Sequence, residues 1–162
     1  MINFIVAIDE KRGLADEQGI PWDLPTDRRY FRNKTEFGDI LMGYGTYIEF
    51  DEPLNNRINY VATNTETNLK KGFKKVADAR EFLAKAKINN QEVWVIGGAG
   101  LFKSTIDYAD KLYLTIVHGD FNCTKFFPDY TLAFDLSSNQ KPITENNITF
   151  HFEVWSRQPN TK

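Results

Sequence analysis

Short apolar runs alternate with amphipathic segments through the first two thirds of this chain. The first run, residues 2–8, is almost continuously apolar, which is typical of a central strand buried on both faces. Similar runs that stop at glycine or turn residues predict further strands, and apolar residues that recur every three or four positions predict helices. The predicted strands cover residues 2–8, 39–43, 57–62, 93–96, 111–117, 132–138 and 149–156, and the predicted helices cover residues 25–35, 44–48, 77–86 and 101–108.

The order of these elements predicts an α/β fold. Strands and helices alternate up to residue 117, and strands alone follow. We therefore expect three layers: a mostly parallel central sheet of about eight strands with an antiparallel C-terminal strand, flanked by about four helices. Residues 9–19 are expected to form a long mobile loop, and the lysine-rich residues 70–75 another. No repeat or linker interrupts the pattern, so residues 1–162 are expected to form a single domain.

The first helix carries the most informative polar residue of the chain. Pro25 and Thr26 predict its start, with Thr26 as the N-cap. Residues four apart share a helix face, so Asp27 lies on the same inward side as Phe31. A carboxylate on an apolar face suits the binding of a protonatable heterocycle, with Trp22 and Phe31 as flat walls. The alternative is an ordinary first-turn acid that the helix dipole favours.

The predicted strand ends indicate a ligand crevice. Ligands of open parallel sheets bind beyond the C-terminal ends of the strands. Small or turn-forming residues follow several of the strands here, and Gly97-Gly98-Ala99-Gly100 lies between a strand and a helix. Backbone amides in such a run can hold a pyrophosphate. The run does not fit the G-x-G-x-x-G fingerprint or the P-loop, and a tight turn between packed elements is the alternative.

Two further residues are candidates for binding roles. Arg57 opens a strand after a Pro-Leu turn, and its guanidinium can grip a ligand carboxylate; the alternative is a surface cation. Thr115 places a hydroxyl on a strand that is expected to lie near the first helix, where it can hold Asp27. The alternative for Thr115 is a core threonine chosen for its β propensity.

Composition narrows the classes of function. The chain has 162 residues and a net charge of −2, so no basic excess favours binding to nucleic acid or to an anionic membrane. No apolar run approaches the ~20 residues of a transmembrane helix, and the N-terminal run lacks the marks of a signal peptide. The single cysteine, Cys123, fits a reducing cytoplasm. With only His118 and His151 beside it, we expect no metal site.

Motifs spread along nearly the whole chain together resemble the dihydrofolate reductase family. No single motif is decisive, but their order and spacing are highly specific. They are Ile5-Val6-Ala7-Ile8, Gly19-Ile20-Pro21-Trp22, Leu24-Pro25-Thr26-Asp27 with Phe31, Ile40-Leu41-Met42-Gly43 with Thr46, Pro53-Leu54 with Arg57, Val95-Ile96-Gly97-Gly98, Leu112-Tyr113-Leu114-Thr115 and Phe127-Pro128-Asp129-Tyr130.

The resemblance implies reduction of 7,8-dihydrofolate to tetrahydrofolate by hydride transfer from NADPH. It assigns Asp27 to the pterin ring as the group that promotes protonation at N5, with Trp22 positioning a water and Thr115 bonding the carboxylate. It implies that loop 10–23 closes over the nicotinamide, and that Arg57 grips the glutamate α-carboxylate. The substrate pocket would further contain Ile5, Val6, Phe31, Leu54 and Ile96. The cofactor would be contacted by Ala7, Leu14, Ile20, Gly43, Tyr44, Gly45, Thr46, Thr63, Asn64, Gly97, Gly98, Ala99, Gly100, Leu101 and Phe102.

The chain departs from the family pattern where the 2′-phosphate of NADPH is usually bound. Tyr44 stands where the family commonly has an arginine, and Gly100 stands where a basic residue is common. Thr63 and Asn64 remain as neutral donors, and the lysines of residues 70–75 are candidates to replace the charge. Loss of two charge-assisted hydrogen bonds removes roughly 3–6 kcal/mol. We therefore expect weakened discrimination for NADPH, with NADH as a possible second cofactor.

Two other functions are compatible with parts of the pattern. One is a reductase of the same fold that acts on a pyrimidine in riboflavin synthesis, against which Asp27 and Arg57 argue. The other is a pterin- or nucleotide-binding relative without turnover, supported only by the missing phosphate-binding cations. Partners are expected to be the small-molecule substrate and antifolates such as methotrexate or trimethoprim. No exposed apolar seam stands out in the sequence, so a monomer is expected.

Overall fold

The computed structural model describes residues 1–159 of the chain. Residues 160–162, which the expected single domain includes, lie outside the described part. In chain order the strands and helices are β1 (Ile2–Asp9), β2 (Gly13–Ala15), α1 (Pro25–Thr35), β3 (Asp39–Gly43), α2 (Tyr44–Tyr47), β4 (Ile58–Ala62), β5 (Phe73–Val76), α3 (Ala79–Ile88), β6 (Val93–Val95), α4 (Ala99–Thr105), a 3-10 turn (Ile106–Tyr108), β7 (Lys111–Val117), β8 (Lys125–Phe126), β9 (Phe134–Asn139), β10 (Ile143–Glu145) and β11 (Ile148–Arg157).

The main sheet confirms the predicted mixed α/β fold. Its strands follow the order β10-β11-β7-β1-β6-β3-β4-β5. Strand β9 pairs with the C-terminal half of β11, on the same edge as β10. The six strands from β7 to β5 are parallel, and β11 joins them antiparallel to β7. The parallel strands therefore end at one common edge of the sheet, where residues distant in sequence come together.

Helices cover both faces of this sheet. On one face, the aromatic and aliphatic side chains of β1, β6 and β7 pack against Leu83 and Ala86 of α3 and Phe102 of α4. On the other face, α1 stacks Tyr30 on Phe152 of β11 with 4.0 Å between ring centroids, and α2 buries Tyr47 against β3 and β4. These two packed layers give the three-layer architecture that the element order predicts.

Three local expectations were wrong. The segment 9–19 is not wholly loop, because β2 pairs with β8, and buried Asp9 accepts hydrogen bonds from Gly13 N (2.8 Å) and Phe121 N (3.0 Å). Lys74 and Lys75 lie in strand β5, in which only the two end residues are buried. The exposed lysines therefore concealed the strand pattern in the sequence. Thr26 is not the N-cap of α1: Leu24 occupies that position and Pro25 opens the helix.

No helix within residues 1–159 is both long and apolar enough to cross a bilayer.

Candidate active site

A cavity of about 950 Å³ opens at the C-terminal ends of β1, β3 and β6. This is the position at which open α/β sheets bind ligands, and the volume is near the top of the usual range, roughly 300–1,000 Å³. The loop before α1, α1 itself, α2 and the start of α4 complete the walls. Of the predicted site residues, the lining includes Ile5, Val6, Ala7, Leu14, Ile20, Trp22, Asp27, Phe31, Gly43, Tyr44, Gly45, Thr46, Leu54, Ile96, Gly97, Gly98, Ala99, Gly100, Leu101, Phe102 and Thr115.

Asp27 enters the cavity from the first turn of α1. Its Oδ1 accepts a hydrogen bond of 2.5 Å from the Thr115 hydroxyl on β7. Burial raises the pKa of Asp27 above its ordinary value of 3.8, the hydrogen bond from Thr115 and the charge of Arg28 oppose that rise, and the charge of Glu145 adds to it. The carboxyl group is therefore biased toward its protonated form while it faces a space that a ligand can fill.

Thr115 is fixed by the sheet on both sides. It pairs with Ala7 on parallel β1 and with Phe152 on antiparallel β11, and only 2 % of it is exposed. A β-branched side chain in a strand has few rotamers to choose from. The hydroxyl that holds Asp27 is thus presented by the most constrained part of the sheet.

Aromatic and aliphatic side chains form the walls around Asp27. Trp22 is 8 % exposed and packs edge-on against Phe121, with 5.3 Å between ring centroids. Phe31, one helical turn after Asp27, lines the same cavity, and Leu54 and Ile96 lie in its lining opposite α1. Flat apolar walls beside one carboxyl group suit a planar heterocycle that carries a hydrogen-bonding edge.

The glycine run forms an open backbone surface along the cavity. Gly43 N donates to Gly97 O at 2.8 Å, which ties the end of β3 to the residues after β6. A Cβ atom placed on Gly97 would lie 3.3 Å from Phe102, and Gly97 also has a positive φ of 119°, so a side chain would be strained there. The peptide surface at Gly97 and Gly98 faces Thr46, whose Oγ1 lies 3.6–3.7 Å from the positions that Cβ atoms would take. A ligand can approach this backbone closely, as a pyrophosphate requires.

The segment between β2 and α1 covers one side of the cavity. Thr124 N donates to Ala15 O at 3.0 Å, and Thr124 Oγ1 donates to Glu17 Oε1 at 2.9 Å, so the residues before β8 hold this segment in place. Ile20 lines the cavity although 65 % of it is exposed. An apolar side chain at the mouth of a cavity gains burial only when a ligand or a closed loop covers it.

Arg57, which is expected to grip a ligand carboxylate, lies outside the cavity lining. Its Nε donates to Asn55 O at 2.7 Å, and its Nη1 donates to the Thr35 hydroxyl at 3.0 Å. Partial burial lowers its pKa, the charge of Glu36 opposes this, and the nearby Arg32 adds to it. Arg32, whose charge acts on Arg57, does line the cavity.

Thr63 and Asn64, expected to contact the cofactor, also lie outside the cavity lining. They follow Ala62, which pairs with Gly43 at the ends of β4 and β3. Thr63 Oγ1 accepts from Thr65 N at 3.2 Å. These residues therefore extend the sheet edge beyond Tyr44 and away from Asp27, past the end of the cavity itself.

Sequence reasoning missed part of the lining. Arg28 and Arg32, one helical turn apart on α1, line the cavity although the periodicity that pairs Asp27 with Phe31 places them on another face of the helix. Lys125 had no local signal, because the pairing of β2 with β8 brings it to the cavity. The lining residues that were not predicted are Ala15, Glu17, Gln18, Gly19, Leu24, Arg28, Arg32, Glu49, Phe50 and Lys125. In residues 1–159, no group of three or more histidine, cysteine or acidic side chains is placed to bind a metal.

Comparisons with known proteins agree with this geometry. A family model described as dihydrofolate reductase matches residues 1–157. The dihydrofolate reductase of Bacillus subtilis is 35 % identical over 154 residues, which is 94 % of this chain and 91 % of the relative. That of Buchnera aphidicola is 32 % identical over 161 residues, covering 96 % of this chain and 99 % of the relative. A solved structure of the Enterococcus faecalis enzyme, complexed with NADP(H) and RAB-propyl, has a TM-score of 0.86 at 27 % identity and covers 98 % of this chain and 96 % of its own.

Proposed function

This chain belongs to the dihydrofolate reductase family, and we propose that it reduces 7,8-dihydrofolate to 5,6,7,8-tetrahydrofolate with NADPH, using Asp27 to promote protonation of the substrate. The reaction consumes one hydride, which goes to C6 of the pterin, and one proton, which goes to N5. The observation that carries the proposal is the carboxyl group of Asp27, whose pKa is raised by burial and which Thr115 holds among apolar walls in the cavity.

Asp27 is the carboxyl group best placed for this work. The other acidic residues of the lining, Glu17 and Glu49, are exposed, and Glu17 already accepts the Thr124 hydroxyl. A pterin stacked beside Phe31 would present its ring nitrogens to the Asp27 oxygen that Thr115 leaves available. Binding there stabilises the cationic form of the pterin, so that N5 is protonated more readily. Trp22 closes this end of the cavity and is the candidate to position the water that delivers the proton.

The cavity also fits a dinucleotide. NADPH supplies the hydride when bound. Gly97 and Gly98, which line the cavity, would face its pyrophosphate. Ala7, Leu14 and Ile20 would enclose the nicotinamide between β1 and the segment before α1. Excluding water there strengthens the electrostatic interactions of Asp27.

The substrate tail would leave the pterin site along α1. Arg32 lies in the lining and Arg57 lies next to it, so a ligand carboxylate at this end of the cavity meets two positive charges. Arg57 would need to exchange its bonds to Asn55 and Thr35 for a bond to the ligand. Two cations at this end of the cavity suit a substrate with an anionic glutamate tail.

Asp27→Asn tests the proposed role of the carboxyl group. The amide keeps an acceptor for the Thr115 hydroxyl but cannot ionise, so we expect normal folding and antifolate binding with a loss of about 100-fold or more in kcat at pH 7. Asp51→Asn, at an exposed position outside the cavity lining, is the matched control and should leave the rate unchanged. The assay is the loss of NADPH absorbance with dihydrofolate. Equal kcat in the parent and Asp27→Asn proteins would exclude this role for Asp27.

We also propose that NADH serves as a second cofactor with a smaller disadvantage than in relatives with two phosphate-binding arginines. Tyr44 packs against Tyr47 with tilted rings and 5.5 Å between ring centroids, and Gly100 has no side chain to offer. Lys75 reaches the residues that follow β4, where its Nζ donates to Thr65 O at 2.5 Å. If Lys75 replaces one of two charge-assisted hydrogen bonds, the other remains missing, which corresponds to about 10- to 150-fold in discrimination.

The ratio of kcat/KM for NADPH to that for NADH, measured with dihydrofolate, tests this second proposal. Tyr44→Arg should increase the ratio by about 10- to 150-fold, because it restores one charged donor, whereas Tyr44→Phe should leave the ratio unchanged. A thousandfold preference for NADPH in the parent protein would contradict the proposal. Salt dependence of the NADPH KM that disappears in Lys75→Gln would support the part assigned to Lys75.

Several broader properties accompany this function. We infer that residues 1–162 act as a single domain, since the cavity draws on both halves of the described chain. A monomer acting in the cytoplasm fits the single cysteine and the small-molecule chemistry. Antifolates such as methotrexate or trimethoprim, which carry a protonatable heterocycle, would bind beside Asp27.

A further inference from the structure

Helix α1 begins without a cap from its own segment. Leu24 holds the N-cap position and offers no side-chain acceptor, and Pro25 follows it. The first amide groups of a helix need acceptors from outside the helix. Glu145, at the end of β10, provides an acceptor for one of them: its Oε1 accepts from Thr26 N at 3.0 Å, and its Oε2 accepts from the Thr26 hydroxyl at 2.5 Å.

The turn between β10 and β11 is itself well anchored against the start of α1. Next to Glu145, Asn146 Nδ2 donates to Asp23 O at 3.0 Å. Beneath these polar contacts, Ile143 and Ile148 pack against the cluster that contains the buried Trp22 and Leu24. The turn therefore holds both the chain that enters α1 and the first turn of the helix. It does so through the side-chain amide of Asn146 and the carboxylate of Glu145.

From this geometry we propose that Glu145 is a positioning residue for Asp27, which it holds in register with Thr115 by fixing Thr26. Thr26 directly precedes Asp27, so a rotation of the first turn of α1 would move the carboxyl group away from the Thr115 hydroxyl 2.5 Å away. Misplacing a reacting group by about 1 Å can reduce a rate 100-fold. This inference rests on the proposed function, because it assigns Glu145 to the same proton transfer.

The charges around the two carboxyl groups make the role measurable. The two hydrogen bonds from Thr26 lower the pKa of Glu145, and Arg29 and Arg28 lower it further, so Glu145 is ionised at neutral pH. Its negative charge raises the pKa of Asp27, in opposition to Thr115 and Arg28.

The other ionisable groups that face this region are accounted for. Asp23 is paired with Arg28. On the inner side of α1, Tyr30 has a pKa raised to about 12 by burial and then by Tyr113 and Asp27, so it is neutral over the range of the assay. Removing the charge of Glu145 therefore lowers the pKa of Asp27 and moves the pH–rate profile to lower pH.

Two substitutions separate the contacts of Glu145 from its charge. Glu145→Gln keeps an acceptor for Thr26 N and a polar partner for the hydroxyl but loses the charge. We expect it to retain most of the hydride-transfer rate at low pH and to show a profile displaced to lower pH. Glu145→Ala loses both contacts, and we expect a hydride-transfer rate reduced about 10- to 100-fold, with the KM for NADPH unchanged. Glu52→Ala, at an exposed glutamate outside the cavity lining, is the control.

The experiment is single-turnover hydride transfer across pH, with steady-state KM values for both substrates. A parent-like rate and profile in folded Glu145→Ala would overturn the proposal, as would a parallel loss in every kinetic constant, which marks general loosening. Should Glu145→Ala not fold, an unshifted profile in Glu145→Gln overturns it instead. The two proposals can fail separately. Full activity in Asp27→Asn contradicts the proposed function. An active parent protein whose Glu145 variants keep the parent rate and pH profile contradicts only this inference.

Discussion

Replacing Thr115 by valine should move the pH–rate profile of hydride transfer to higher pH. Valine has nearly the shape of threonine, so the buried strand position is kept, but the donor to Asp27 Oδ1 at 2.5 Å is lost. A hydrogen bond to a charged group contributes about 1.5–3 kcal/mol, and one to a neutral group about 0.5–1.5 kcal/mol. The hydrogen bond from Thr115 therefore stabilises the ionised form of Asp27 more than the protonated form. Losing this bond displaces the pH–rate profile by on the order of one pH unit.

The same substitution should lower thermal stability, and more so at pH 7 than in acid. At pH 7 the lost contribution of about 1.5–3 kcal/mol corresponds to a Tm decrease of roughly 3–12 °C for a chain of this size. As pH falls through the pKa of Asp27 in the folded state, only the weaker neutral bond is missing, so the difference in Tm becomes smaller. Melting curves and single-turnover kinetics at several pH values measure both effects.

Thr105→Val is the matched control for this experiment. Thr105 is equally buried, and its hydroxyl donates to Leu101 O at 2.6 Å on α4. Its replacement should decrease stability without displacing the pH–rate profile, and Thr115→Ser should retain the parent profile because it retains the hydroxyl. If Thr115→Val has the same profile as the parent protein, the hydrogen bond does not control the ionisation of Asp27, and the electrostatic account of the site is wrong.

Two other predictions follow from burial and packing. Burial raises the pKa of Asp27 above 3.8, so the ionised carboxylate destabilises the fold above that raised pKa, and the penalty disappears below pH 3.8. Asp27→Asn should therefore melt at a higher temperature than the parent protein at pH 7. This difference in melting temperature should shrink in acid. Gly13→Ala should lose about 1–3 kcal/mol in urea unfolding, because its Cβ would lie 2.4 Å from Cys123 Cβ. Gly100→Ala, where a Cβ meets nothing within 4 Å, is the control and should not lose stability.

The position of Asp27 was predictable because it depends on local rules. The spacing of Asp27 and Phe31 places both on one helix face, and the ends of parallel strands must meet at one edge of the sheet. Together these rules bring Gly43, Gly97 and Thr115 to the same cavity as α1. Asp27 lies on a helix of 11 residues and Thr115 on a strand of seven residues, and both elements are long enough for their periodicity to be recognised.

The errors arose where local sequence and long-range contacts disagree. Pro25-Thr26 has the composition of a helix start with threonine as the cap, yet proline occupies the first helical position and the acceptor comes from a residue 119 positions away. Strands β2 and β8 have three and two residues, too few for an alternating pattern to be visible. Arg57 is hydrogen-bonded to Asn55 O and to the Thr35 hydroxyl and lies outside the cavity lining, so its role in ligand binding stays a prediction.

The contacts that fix the region around Asp27 come from residues far along the chain. Asp27 lies on α1, an 11-residue helix that is too short to be stable alone. The carboxyl group of Asp27 is held by Thr115 of β7, 88 residues away, and the preceding residue, Thr26, is held by Glu145 at the end of β10. Since β7 is flanked by β11, and β10 pairs with β11, the strand β11 determines both contacts. The C-terminal hairpin is therefore part of the active site, and alterations in it should change proton transfer before they change binding of the cofactor.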